Sequence, residues 1–225
     1  MIIPAKLKLE VKRLFENTAT DEFSGNRKTG SINCSALAST ATGNVRVFKR
    51  RTEVAGIDSA VVICLDVSGS MNDRDLEMVP RLKYAVETAA ALLETLSAAG
   101  VATCILTYAQ TTSILKPWGM NAKRAKERLS RLDDHGTTKD YFCIRYAHTM
   151  LLQRPEERKV CFVITDGDGD KERTKAQVKS GSKLGITTIG IGIELNIKSE
   201  YPNSIHVKKT SDLGTESFKQ IKLAA

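Results

Sequence analysis

The chain has 225 residues, 41% of them hydrophobic, and a formal net charge of +8, enough to bury the core of one globular domain or of one domain with an extension. No apolar run approaches the roughly 18–20 residues of a membrane helix. "MIIPAKLKLEVKR" at the N-terminus lacks the long apolar stretch of a secretory signal, so a soluble, cytoplasmic protein without a membrane partner is predicted.

Five cysteines (Cys34, Cys64, Cys104, Cys143 and Cys161) are too far apart for paired-thiolate zinc spacing. Four lie in apolar segments, where the thiol acts as a small hydrophobe. Reduced, structural cysteines suit a cytosolic setting.

Residues 1–57 carry ten Lys/Arg against five Asp/Glu, so this quarter of the chain supplies +5 of the charge. It reads as a basic arm or subdomain packed on the main domain, with a helix in "KLKLEVKRLFENT" and a Gly/Ser/Thr-rich stretch after it. Its densest patch contains Arg46, Lys49, Arg50 and Arg51, a surface for an acidic partner or nucleic acid. A solvated strand edge blunted by charge is the plainer reading.

From residue 58 onward the pattern alternates. "AVVICLD" (60–66) is a β-branched run too short for a helix, as in a strand buried on both faces. Leu82, Ala85, Val86, Ala89, Leu92, Leu93 and Leu96 recur at helical spacing, with Pro80 in the first turn and Gly100 at the C-cap. "VATCILTYA" (101–109) is a second strand, and "TSILKP" (112–117) a short one returning antiparallel. Asn121 caps a helix to Leu132, the loop "DDHGTTKD" follows, and a helix runs from Tyr141 to Leu152 until Pro155 stops it. "RKVCFVITDG" (158–167) repeats the opening logic of apolar strand then Asp. A basic helix (171–184) ends at Gly185, and "ITTIGIGIE" (186–194) is a further strand. "SIHVKK" and "DLGTESFKQIKLAA" close the chain as strand and helix. The predicted class is α/β: a doubly wound, mainly parallel, Rossmann-like sheet with helices on both faces, plus the N-terminal arm.

In such a sheet, ligands gather beyond the carboxyl ends of strands, where strand order reverses. Asp66 and Asp166 both fall at strand ends. Asp66, Ser68 and Ser70 alternate, and Gly69 between the serines lets the chain turn so that their oxygens can surround a point. Hydroxyls with few carboxylates make a hard site for Mg²⁺, with Mn²⁺ or Ca²⁺ as alternatives. Thr137 or Thr138 supplies another hydroxyl from the intervening loop. A site this short of charge leaves its cation electrophilic, so an acidic side chain of another protein can complete the coordination.

Other chemistries fit less well. A serine-hydrolase elbow needs glycines two residues either side of the nucleophile, but Ser70 has Ser68 and Asn72 there. "DGDGDK" lacks the glycine and closing glutamate of a calcium loop, so Asp168 and Asp170 are read as caps of the next helix. "GIGIEL" lacks the third glycine of a dinucleotide loop. His135, beside the threonine loop, borders the site or is simply solvated, while His148 and His206 show no partner; Trp118 is the only tryptophan, which leaves little material for stacking nucleic-acid bases.

The set Asp66, Ser68, Ser70, a distant Thr and Asp166 resembles the metal-ion-dependent adhesion site (MIDAS) of the von Willebrand factor A (VWA) domain over about residues 58–225. The resemblance implies Ser68 and Ser70 as direct Mg²⁺ ligands, and Asp66 and Asp166 acting directly or through water. In the family the threonine precedes the Ile of a helix pattern like "IRYA" by a short fixed spacing, which from Ile144 points to Thr138, with Thr137 as the alternate. "TGNVRVFKRRTEVAGIDSAVVICLDVSGSM" and "IRYAHTMLLQRPEERKVCFVITDG" resemble the carboxy-terminal part of the CobT subunit of aerobic cobaltochelatase. That likeness implies a non-catalytic partner or adaptor of a MoxR/CobS-type AAA+ ATPase ring, in a complex that inserts metal into a tetrapyrrole. The large amino-terminal portion and acidic stretch of CobT have no counterpart in this sequence. Two other classes compete. One is an RNA-binding VWA protein using the basic arm, which steep salt dependence without EDTA sensitivity marks. The other is a metal-dependent hydrolase, for which no general base is evident.

Overall fold

The computed structural model describes residues 20–27, 29, 31–34, 37, 40, 46–54, 58–74, 78–133, 136–167 and 169–207, with backbone only for 20–27 and 49–54. The helices expected near residues 6–18 and 212–225 lie outside the described residues. The chain falls into two compact units, the smaller spanning Glu16–Asp58. In the smaller unit, β1 (Thr20–Arg27), β2 (Ser31–Ile32) and β3 (Phe48–Val54) form an antiparallel sheet in the order β1-β3-β2.

The larger unit begins with β4 (Ser59–Asp66), in which all eight residues are buried. Helix α1 (Arg81–Ala98) follows, then β5 (Ala102–Tyr108) and β6 (Thr112–Lys116). Next come α2 (Ala122–Leu129), α3 (Asp140–Leu152), β7 (Arg158–Thr165), α4 (Lys171–Lys183), β8 (Ile186–Ile193) and β9 (Ser204–Val207). Six strands make one sheet in the order β6-β5-β4-β7-β8-β9, parallel throughout except for β6. It is the predicted α/β sheet. The chain winds from β4 toward β5 on one side and resumes with β7 on the other, so strand order reverses between β4 and β7.

Complete burial of β4 follows from cover on both faces. Ala60, Val62 and Cys64 join Cys143, Ile144, Ala147 and Leu151 of α3 and Val178 of α4 in one apolar cluster. The alternate positions Val61, Ile63 and Leu65, equally buried, point the other way by the period of two. That is the side of α1, whose Leu92, Leu93 and Leu96 are buried. All five cysteines are free thiols and only Cys34 is exposed.

Local signals end the helices close to where they are read. Asn121 Oδ1 accepts from Arg124 N at 2.9 Å at the start of α2, satisfying a donor that the first turn leaves orphaned. Helix α2 stops at Leu129 rather than Leu132, because Arg131 N and Leu132 N bond three residues back, to Arg128 O and Leu129 O. Asp170 Oδ1 accepts from Arg173 N at 3.2 Å and caps α4; Asp168 lies outside the described residues. Among the described residues, no helix is long and apolar enough to cross a membrane.

Candidate metal centre

Strands β4 and β7 run parallel with Leu65 opposite Ile164. Asp66 and Asp166 therefore leave the same edge of the sheet, on adjacent strands, at the point where strand order reverses. Both are completely buried. Asp66 Oδ1 accepts from Ser68 N and Oδ2 from Thr165 Oγ1, each at 3.0 Å; Thr165 Oγ1 in turn accepts from Gly167 N at 3.0 Å. One carboxylate thus fixes its own loop and, through Thr165, the loop that carries Asp166.

After Ser68 the chain enters a 3₁₀ turn, Gly69–Asn72. Met71 N bonds Ser68 O and Asp73 N bonds Ser70 O, both at 3.0 Å. This brings Ser68 Oγ within 3.1 Å of Ser70 Oγ. The tight turn thus makes the hydroxyls converge. Glycine at position 69 is not what it requires: Gly69 has no left-handed φ, and a Cβ there would meet Gly136 O at an ordinary 3.5 Å. Gly69 instead donates its N–H to Gly136 O at 2.9 Å.

That bond straps the Gly-Thr-Thr loop onto the serine loop. A second tie, Lys139 N to Ala109 O at 3.1 Å, anchors the loop beyond the end of β5. Gly136 turns with φ of 72°, a left-handed conformation natural to glycine. Thr138 is half-buried and Thr137 exposed. A threonine that contributes to a partly enclosed site loses exposure, so Thr138→Val is expected to weaken divalent-cation binding at least about fivefold more than Thr137→Val; isothermal titration of the two variants checks this.

Burial pushes the Asp66 carboxyl up to about 6, and the Asp166 charge adds to the rise against the lowering hydrogen bonds from Ser68 and Thr165. Two buried carboxylates at adjacent strand ends, close enough for one to raise the other, are stabilised by positive charge. A divalent cation would supply it, and the donors fit a hard one: carboxylates and hydroxyls. Among the described residues, no three His, Cys, Asp or Glu side chains cluster closely enough to hold a metal by themselves. A cation site here would therefore draw on oxygens other than carboxylates, and the serine hydroxyls are the ones beside them.

Sequence reasoning missed two charged residues near this edge, one half-buried and one buried. Arg81, at the start of α1, faces three acids: Glu194 Oε2 at 2.7 Å from Nε, and Asp73 Oδ2 and Asp166 Oδ2 at 3.2 and 3.7 Å from Nη1. Asp140, at the start of α3, is buried, accepts from Thr174 Oγ1 at 2.6 Å and from Tyr141 N at 2.8 Å, and crowds Gly169 so closely that no side chain fits there. Its burial raises its carboxyl above the usual range. Asp140 thereby ties the start of α3, just after the threonine loop, to the first turn of α4. An acid just before a helical run is the only sequence trace of that role.

The remaining readings sort simply. His148 is buried, with Nε2 3.0 Å from Thr188 Oγ1 and Gly181 packed against its ring; it is a core histidine. His206 is exposed on β9, and His135 lies outside the described residues. Arg46 is exposed just before β3, while Lys49, Arg50 and Arg51 lie on β3, where only the backbone is described.

Residues 61–168 match the family model of the von Willebrand factor type A domain, a little under half of the chain. An aerotolerance-related membrane protein from Bacteroides fragilis is similar in structure at 23% identity and TM-score 0.54, over 60% of this chain and 67% of that one. The SpRpn10 VWA domain aligns at 16% identity and TM-score 0.56, over 69% of this chain and 93% of that domain. Proximal thread matrix protein 1 from the mussel byssus, with a zinc-occupied MIDAS motif, aligns at 15% identity and TM-score 0.59, over 74% of this chain and 48% of that one. No curated protein sequence matches. These similarities support a VWA domain and establish a VWA-like fold.

Proposed function

We propose that the larger unit is a non-catalytic, metal-dependent protein-interaction module that docks an acidic side chain of an AAA+ ATPase ring of the MoxR/CobS type. One observation carries the metal part of this reading: two fully buried carboxylates on adjacent parallel strands stand beside two serine hydroxyls 3.1 Å apart. Asp66, Ser68, Ser70, Thr138 and Asp166 would hold the ion, Mg²⁺ in the first instance. Once bound, the cation would supply an electrophilic docking point for a carboxylate. The zinc-occupied motif of the mussel protein supports metal use at a site of this kind.

The chain's own residues favour docking over turnover. Asp66 already bonds Ser68 N and Thr165 Oγ1, and His148 is held in the core, so neither is placed to act as a general base. Large apolar side chains stand exposed on segments at the same edge: Met78 before α1, Phe142 in the first turn of α3, and Leu195 after β8 are 67%, 49% and 48% exposed. An apolar rim around a charged centre suits a protein partner. A cobaltochelatase-like role, with metal passed to a tetrapyrrole, rests on the sequence likeness to CobT alone.

The test uses the intact chain and a purified MoxR-type ATPase ring from the same organism, with binding followed by interferometry in Mg²⁺. Ser68→Ala with Ser70→Ala, or EDTA, is expected to weaken binding at least about tenfold, or about 1.4 kcal/mol, with the circular dichroism spectrum unchanged. Equal binding in EDTA overturns the metal-dependent reading.

A further inference from the structure

We infer that Arg81 sets the cation affinity of the candidate centre, as a fixed positive charge that competes with the ion for Asp166. The inference rests on the metal reading above. Among the described residues, Arg81 is the basic side chain paired with a carboxylate of the centre. Its guanidinium is held elsewhere: Nε donates to Glu194 Oε2 at 2.7 Å and Nη1 to Asp73 Oδ2 at 3.2 Å. From Asp166 Oδ2 it stands 3.7 Å away, beyond hydrogen-bond reach. Arg81 thus places its charge on Asp166 without fixing where that carboxylate sits, because its anchors are the 3₁₀-turn segment and the end of β8.

This separation gives the effect a sign. A residue that positioned Asp166 would, when removed, weaken cation binding. A residue that only lends its field would, when removed, strengthen it, since the ion no longer shares Asp166 with a guanidinium. The Arg81 side chain is only 21% exposed, so water screens this field less than at the surface. Glu194 acts the other way: it balances Arg81 from the far side, and losing it turns more of the charge toward Asp166. The arrangement keeps a bare cation weakly held, and a partner's carboxylate meets both the ion and a nearby guanidinium.

Isothermal titration of the 225-residue chain with Mg²⁺, repeated with Mn²⁺, tests this. Arg81→Gln is expected to bind about tenfold more tightly than wild type, a size consistent with unit charges several ångströms apart in a partly screened site. Arg81→Lys, which keeps the charge, stays within about threefold of wild type, and Glu194→Gln binds about threefold more weakly. If wild type binds the cation and Arg81→Gln binds it equally or more weakly, the inference is overturned while the metal reading stands. If neither binds, the metal reading fails and takes this inference with it. Should Arg81→Gln not fold, Glu194→Gln decides: unchanged or tighter binding rejects the role.

Discussion

Asp66→Asn is expected to lower divalent-cation affinity at least ~100-fold, since carboxylate number is a main determinant of affinity at hard-ion sites, and yet to make the metal-free protein more stable at neutral pH. The two effects share one cause. In the folded, metal-free chain the Asp66 carboxyl titrates at about 6, against about 3.9 in an unfolded chain. Between those values the folded protein holds a proton that the unfolded chain has released. Stability therefore falls as pH rises through that window, by about 3 kcal/mol in all for this group. Asp140, also shifted upward by burial, adds a fall of the same sign. Asparagine keeps an oxygen to accept from Ser68 N and removes the Asp66 share of the pH dependence. Melting curves from pH 4 to 7.5 in EDTA are expected to show a fall in Tm of several degrees for wild type and a much flatter profile for Asp66→Asn. Mg²⁺ at about 100 times the wild-type dissociation constant returns about 2.7 kcal/mol to wild type and at most about 0.4 kcal/mol to the variant. A wild-type profile as flat as the variant's would falsify the account of Asp66.

The parts of this molecule that could be read in sequence are those whose physics is local. Burial of β4 on both faces leaves a continuous apolar run, and the cap of α2 needs only Asn121 and a backbone N–H three residues on. Asp66, Ser68, Ser70 and Asp166 were legible because each sits at or just beyond a strand end, where the α/β sheet places its ligands. The Gly-Thr-Thr loop was legible by its spacing but not by its fastening, since the bond from Gly69 N to Gly136 O joins two backbone groups that any residues possess. Arg81 was invisible for a stronger reason. It begins an amphipathic helix, where a solvated arginine is ordinary, and its nearest partner Glu194 is 113 residues away. His148 looked partnerless because its hydrogen-bond partner, Thr188, comes from β8, 40 residues on. Tertiary pairing of single polar side chains leaves no periodic trace.

The glycines of "GIGIEL" make the same point with a larger energetic consequence. They alternate on one face of β8, and that face has no room for a Cβ. At Gly190 a Cβ would come within 2.5 Å of Tyr201 Cγ and 2.7 Å of Ile197 Cδ1. At Gly192 it would overlap the backbone carbonyl of Leu195. The chain turns back there: Leu195 N bonds Ile193 O at 2.8 Å, and Glu194 takes a left-handed φ of 62°. A flexible side chain can yield to a methyl group; a carbonyl in a bonded turn cannot without moving the turn. Gly192→Ala is therefore expected to cost about 3 kcal/mol, the upper part of the usual overpacking range, and to lower Tm by roughly 6–12 °C for a chain of this length. Gly119→Ala, with nothing near its Cβ, is the matched control and stays within about 0.5 kcal/mol of wild type. The damage also reaches the candidate centre, because Glu194 in that turn anchors Arg81 through the 2.7 Å bond. A displaced Glu194 leaves Arg81 nearer in charge to Asp166, so the surviving folded Gly192→Ala protein binds Mg²⁺ more weakly, in the same direction as Glu194→Gln. Melting temperature and cation titration on one preparation measure both; a Gly192→Ala protein that melts with wild type removes the steric argument at its root.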